Sequence, residues 1–130
     1  TDITGAEVKQ TLEDAIDYVL NGGSTGAFPY GAGIRYEATK EGKLGTRVKK
    51  IEVFDFKANK WVPIDAKKTY MLAVNSYIAK GKDGYTTLGK ITSQKRGRDT
   101  HLSDTKIFID YLKEKKEIGK PKSTNVIFKY

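Results

Sequence analysis

Apolar positions recur along this chain with two periods, one helical and one extended. Val8, Leu12, Ala15, Ile16, Val19 and Leu20 fall on one stripe at helical spacing, which predicts an amphipathic helix near the start. Thr4-Gly5-Ala6-Glu7 supplies its capping box, with Thr4 as N-cap, and Ile3 and Val8 can form the hydrophobic staple. Asn21-Gly22-Gly23 ends it, and a glycine-rich loop with Phe28, Pro29 and Tyr30 runs from Ser24 to Gly33. The period then shortens to two. Ile34 to Ala38 alternates like a strand, Thr39 to Gly45 reads as a hairpin connection, and Thr46 to Phe56 alternates again. In that second run Val48, Ile51 and Val53 point inward, which requires a bulge near Lys49–Lys50. After a turn over Asp55 to Lys60, Trp61 to Ile64 reads as an edge strand, because Pro63 cannot donate to a ladder. Asp65 to Lys68 turns the chain again.

The run Thr69 to Ile78 reads as a central strand, and Leu88 to Thr100 as irregular or weakly extended. A second helix starts at Ser103 and extends to about residue 117. Leu102 and Ile107 staple it, and Ile107, Phe108, Tyr111 and Leu112 form its apolar face. Its last turn is rich in lysine, which suits the helix dipole, and Gly119 and Pro121 terminate it. The apolar stripes of both helices are expected in the core. Asn125 to Tyr130 reads as a final strand. One helix, several mostly antiparallel strands, then a helix and a strand predict a single α+β domain over residues 1–130.

Composition narrows the class. A chain of 130 residues suits one core, and no apolar run approaches the ~20 residues that span a bilayer. No signal-peptide pattern opens the chain. A start only three residues before a helix cap is what a trimmed fragment is expected to show. There is no cysteine, so disulfides and thiolate metal sites are excluded, and the compartment is left open. His101 is the only histidine. Without an array of His or carboxylate ligands, no metal site and no autonomous metal enzyme are expected, and His101 reads as a structural or surface residue.

The net charge of +8 sits in the second half, in Lys95-Arg96-Gly97-Arg98 and between Lys113 and Lys122. Such clusters can meet nucleic acid or another anionic partner. Glu114 and Glu117 interrupt the second cluster and weaken the nucleic-acid reading; a solvated basic surface is the plainer one.

The chemistry concentrates between Asn75 and Tyr85. An apolar run, Met71 to Val74, ends in Asn75-Ser76-Tyr77, and Gly81-Lys82-Asp83-Gly84-Tyr85 follows. A strand that aims the Tyr77 ring, with glycines that let the backbone approach a ligand, suits a small-molecule site. The Asp83 carboxylate can accept two hydroxyl hydrogen bonds, as a ribose diol offers. The same Gly-Lys-Asp-Gly also suits a plain turn, since Gly and Asp supply its positive-φ positions. Tyr85 reads as a packing residue steadying the loop, Phe28 and Tyr30 as core or rim, and Trp61 as a packed edge residue.

These pieces together resemble the C-terminal, substrate-binding domain of the 5′-nucleotidase and UDP-sugar hydrolase family. The resemblance rests on Ile3-Thr4-Gly5-Ala6-Glu7 with Leu12-Glu13-Asp14-Ala15, then Ser24-Thr25-Gly26-Ala27-Phe28 and Gly33-Ile34-Arg35-Tyr36. Pro63-Ile64-Asp65, Lys68-Thr69-Tyr70 and the loop Asn75 to Tyr85 complete it, in order, over roughly residues 1–115. It implies that Tyr77 is one of two rings clamping a nucleobase, that Asp83 contacts the ribose hydroxyls, and that Gly26 and Gly81 lie at the ligand.

Two departures stand out. Tyr77 replaces a frequent Phe, and Lys82 replaces the second glycine of the family's Gly-Gly-Asp-Gly, which crowds the loop or adds a charge there. The second clamp ring, the phosphate-contacting residues and all ligands of the divalent metal ions are implied to lie upstream of Thr1, partly in an N-terminal metallophosphatase domain. The chain is thus expected to be the later part of a C-terminal domain. By itself it would have no catalytic residue, no cofactor and no hydrolase activity. Its implied ligand is a nucleoside 5′-monophosphate or nucleoside sugar, and its implied location is the periplasm or cell surface. The alternative is a non-catalytic interaction module whose basic half binds an anionic partner.

Overall fold

The helix predicted from the first stripe organises the chain. A computed structural model describes residues 1–130. Strand β1 (Asp2–Thr4) leads directly into helix α1 (Gly5–Leu20), followed by a 3-10 turn at Thr25–Ala27. Strands β2 (Ile34–Thr39), β3 (Val48–Asp55), β4 (Lys60–Pro63) and β5 (Thr69–Met71) come next. Helices α2 (Ser76–Ala79), α3 (Thr86–Ser93) and α4 (Asp104–Lys115) and strand β6 (Val126–Lys129) complete the chain. The architecture is α+β, as the order of periods predicts.

The larger sheet has the order β4-β3-β2-β6, antiparallel except for the parallel β2–β6 pair. The expected bulge is present: Arg35 faces Glu52 but Glu37 faces Lys49, and Lys50 takes a φ of 48°. The extra residue turns both Val48 and Ile51 inward, where each is buried. β4 is the edge strand that Pro63 foretold. A second, two-stranded sheet pairs β1 with β5.

α1 touches β1, β3, the 3-10 turn and α3. Its capping box forms as read, and Ile3 and Val8 are both buried. Val8, Leu12, Ala15 and Ile16 meet Tyr36, Ala38, Val48 and Ile51 from the sheet and Leu88 and Ile91 from α3 in one core. Four carboxylates on α1 reach outward to fix other segments. Glu7 receives Arg96 through both oxygens at 2.6 and 2.8 Å, and the Arg96 guanidinium holds its carboxyl down at about 2. Glu13, fully buried, accepts from the amides of Gly45 and Val48 at 2.9 and 2.7 Å. Asp14 accepts from the Thr87 amide and from the Thr86 and Thr87 hydroxyls at 2.6–2.9 Å. Asp17 pairs with Arg47.

Three expectations are corrected. The ladder expected over Thr69 to Ile78 stops at Met71; Leu72 and Val74 still pack on the core, but Asn75 caps a helix that begins at Ser76. Residues expected to be irregular after Leu88 begin with helix α3, whose Leu88 and Ile91 are almost fully buried. The start of α3 has no local side-chain cap; the α1 residue Asp14 caps it instead. Third, α4 starts at its Ser103 cap as predicted, but its apolar face is not in the core: Ile107, Phe108 and Tyr111 are 47–55% exposed. Leu102, the expected staple, is also exposed.

Two measurements follow. Glu13→Ala leaves the Gly45 and Val48 amides without an acceptor and should destabilise the fold by about 3 kcal/mol, seen as a lower urea midpoint. Glu13→Gln, which keeps one acceptor oxygen, should cost less. A helix of α4's length with no packed face is marginal in water. Its amides should therefore exchange with solvent much faster than those of Leu12 to Ile16, and equal protection would mean that its apolar face is covered in solution.

Candidate functional site

The site residues are set by the ends of two short helices. The Asn75 side chain accepts from the Ile78 amide at 3.0 Å and starts α2, which places Tyr77 in its first turn with 55% of its surface exposed. Tyr77 is therefore aimed by a capped helical turn and not by a strand. The chain leaves α2 through Gly81 and crosses a tight turn in which the Tyr85 amide donates to the Lys82 carbonyl at 3.1 Å. Gly81, Asp83 and Gly84 all take positive φ, at 79°, 51° and 80°. Asp tolerates this region better than most side chains, and glycine enters it freely.

The turn returns Asp83 to Tyr77. The Tyr77 hydroxyl donates to Asp83 Oδ1 at 3.3 Å. The Asp83 charge is the first cause pushing the Tyr77 phenol up. An exposed ring and a carboxylate thus stand side by side, with most acceptor capacity of the carboxylate unspent.

The glycines have packing reasons as well. A side chain on Gly81 would meet Gly89 Cα at 3.1 Å, so the pair Gly81/Gly89 lets α2 and α3 approach closely. Thr92 ties the same helices by donating to the Ala79 carbonyl at 2.6 Å. Gly26 lies in the 3-10 turn, where its amide donates to Ser24 Oγ at 3.3 Å. It makes no contact with the Tyr77–Asp83 pair in the hydrogen-bond network. Its loop is joined to theirs through Tyr85, which is buried and donates to the Ala27 carbonyl at 2.9 Å. Burial, with Asp83 nearby, pushes the Tyr85 phenol up to about 12. Tyr36, also buried, fixes the same loop by donating to the Pro29 carbonyl at 2.6 Å.

Lys82 is exposed beside Asp83. His101 is exposed, and its amide donates to Asp99 Oδ1 at 2.7 Å. Phe28 packs against the core while Tyr30 is exposed, and Trp61 on the edge strand carries Arg35 over its ring at 4.7 Å. Of the basic cluster Lys95 to Arg98, Arg96 is spent on Glu7 and on the Asp2 carbonyl, so the cluster offers less free charge than its sequence suggests. No group of three or more His, Cys, Asp or Glu is placed to hold a metal ion. No helix is long and apolar enough to cross a membrane.

Sequence reasoning overlooked Asn75 as a cap, although Asn before Ser is a helix-start signal. It also overlooked Asp14 and Tyr18, whose roles depend on partners more than sixty residues away, which no local pattern reveals.

The Tyr77–Asp83 contact makes a direct pH prediction. Asp83→Asn removes the neighbouring negative charge, so the Tyr77 phenol should ionise at lower pH, closer to an ordinary tyrosine. A pH titration of the Tyr77 ring carbon signal reads this. An unchanged titration would mean that the two groups are apart in solution.

With the geometry in place, comparison with known proteins identifies the lineage. The family model described as the 5′-nucleotidase C-terminal domain matches residues 1–90. A probable 5′-nucleotidase of Treponema pallidum is 51% identical over 129 residues, which are 98% of this chain and 22% of the relative. The NAD 5′-nucleotidase of Haemophilus influenzae is 46% identical over 95% of this chain and 21% of its own length. The solved structure of the Haemophilus influenzae NAD nucleotidase superposes with a TM-score of 0.91 at 45% identity, covering 98% of this chain and 23% of that one. A 5′-nucleotidase precursor from Thermus thermophilus superposes with a TM-score of 0.82 at 32% identity. The chain spans less than a quarter of the length of these relatives, and within that span it belongs to the 5′-nucleotidase family, as a portion of its C-terminal domain.

Proposed function

We propose that residues 1–130 are the later part of a 5′-nucleotidase C-terminal domain and hold the nucleoside part of a nucleoside 5′-monophosphate or nucleoside sugar. The observation that carries this reading is the pair formed by the exposed Tyr77 ring and the Asp83 carboxylate. The ring offers a face on which a nucleobase stacks, a contact worth about 1–3 kcal/mol. The carboxylate offers charge-assisted hydrogen bonds to a ribose diol. A ligand that brings a diol would take over the oxygen now shared with the Tyr77 hydroxyl. Gly81 belongs to the turn that carries Asp83, Gly26 to the loop joined to that turn through Tyr85, and Lys82 sets a positive charge beside the pair.

Hydrolysis of the phosphate ester is assigned to a separate N-terminal metallophosphatase domain of the parent protein, where divalent metal ions would activate the attacking water. The contribution of this chain is positioning: fixing the base and ribose presents the ester to the reacting groups in one orientation. The family resemblance supports a location in the periplasm or at the cell surface. Nucleic acid is not the expected ligand.

The test is a titration of the 130-residue chain with AMP, adenosine and UDP-glucose, followed by NMR. Shifts should centre on Tyr77 and Asp83, with affinity in about the millimolar range, since one ring and one diol contact supply about 4 kcal/mol. Tyr77→Ala should abolish them, and the affinity of the unaltered chain should change little with salt. Shifts confined to the Lys95–Arg98 or Lys113–Lys122 clusters, with steep salt dependence, would favour the polyanion-binding alternative instead. Release of phosphate from AMP by the chain alone should be undetectable; metal-dependent release would overturn the division of labour.

A further inference from the structure

Asp83 takes a positive φ between Gly81 and Gly84, a conformation that costs a non-glycine side chain, and a contact from outside the turn helps to hold it there. The contact that does so comes from Tyr18 in the last turns of α1. A side chain on Gly84 would lie 2.3 Å from Tyr18 Cβ and 2.6 Å from Cγ, so the Gly84 backbone rests directly on that residue. On the other side, a side chain on Gly23 would lie 2.4 Å from Tyr18 Cδ1 and Cε1. The Gly23 amide also donates to the Tyr18 carbonyl at 2.9 Å. The ring is therefore seated between two glycine backbones, one from the end of its own helix and one from the Asp83 turn. Tyr18 lies close enough to the pair that, behind Asp83 and burial, it is the smallest of the causes pushing the Tyr77 phenol up.

We infer that Tyr18 is a positioning residue for nucleoside binding: by seating Gly84 against α1 it holds the adjoining Asp83 carboxylate where a ribose diol can reach both its oxygens. The inference rests on the reading that Asp83 receives the ribose. Tyr18 acts through the seat of Gly84, next to Asp83. Removing its ring should cost the diol contact and spare the stacking on Tyr77, which is fixed separately by the Asn75 cap and the α2–α3 contact.

The experiment compares adenosine with 2′,3′-dideoxyadenosine, which has the same base and no diol, by NMR titration of the wild-type chain and of Tyr18→Ala, Tyr18→Phe and Gly84→Ala. Wild type should prefer adenosine by about tenfold, the worth of a hydrogen bond to a charged group. Tyr18→Ala should lose that preference through weaker adenosine binding, with dideoxyadenosine affinity unchanged. Tyr18→Phe, which keeps the ring, should retain it. Gly84→Ala disturbs the same seat from the other side and should reproduce the loss, so it decides the matter if Tyr18→Ala does not fold. Wild type without a preference overturns the ribose role of Asp83 and this inference with it. A wild-type preference that survives in the folded Tyr18 and Gly84 variants, or an equal loss of both ligands, overturns the inference about Tyr18 alone.

Discussion

The fold hangs on α1, and specifically on carboxylates that a helix of this kind would ordinarily show to water. Hydrophobic burial by Val8, Leu12, Ala15 and Ile16 brings the sheet and α3 to the helix, but apolar contact is non-directional and fixes no register. Direction comes from Glu7, Glu13, Asp14 and Asp17, which lie within three turns and between them hold three segments: Glu7 takes Arg96, Asp14 the start of α3, and Glu13 and Asp17 the stretch from Gly45 to Val48. Glu13 is the most exacting of them. A buried carboxylate is tolerable only when its oxygens are hydrogen-bonded. The Gly45 and Val48 amides provide those bonds and thereby lock the β2–β3 connection against the helix. Asp14 does the same for α3, whose first turn would otherwise leave its amides unpaired.

The site inherits its geometry from this arrangement by two routes. Asp14 places α3, Gly89 on α3 admits Gly81, and the close approach of the two helices sets α2 and so Tyr77. Tyr18, one turn further along the same face of α1, seats Gly84 and so Asp83. Ring and carboxylate are thus referred to one rigid element, although neither belongs to it. On the proposed reading, a turn held in this way gives up little further conformational freedom when a ligand arrives.

This dependence also explains what was legible in the sequence. Features whose partners lie a few residues away were readable: the Thr4–Glu7 capping box, the bulge at Lys50, the edge strand at Pro63 and the Ser103 cap. Tyr85 as a packing residue was readable too, from its place closing the turn. α3 was not. Thr86, Thr87 and Gly89 are poor helix formers, and what makes them helical is a cap and a core contributed by α1. Tyr77 was found and its support misread: Met71 to Val74 has the composition of a strand and the burial of one, but the Asn75 side chain competes for the backbone and turns it into a helix start. A shared site for Tyr77 and Asp83 was readable from the ring, the glycines and the carboxylate of one stretch, but their direct contact was not, because nothing in a six-residue spacing says that the chain doubles back.

α4 bears on the same question from the other side. Its sequence has every local mark of a core helix, with a Ser103 cap, an apolar stripe and a basic last turn. Yet Ile107, Phe108 and Tyr111 are about half exposed. Local consistency specifies a helix; it does not specify what covers it. The Haemophilus influenzae structure matches this chain over 98% of its length while being more than four times as long. A helix can carry an apolar face in such a protein without that face belonging to the core of this portion. The Tyr77–Asp83 pair shares this character. It is well defined by the residues beneath it and open on its outer side.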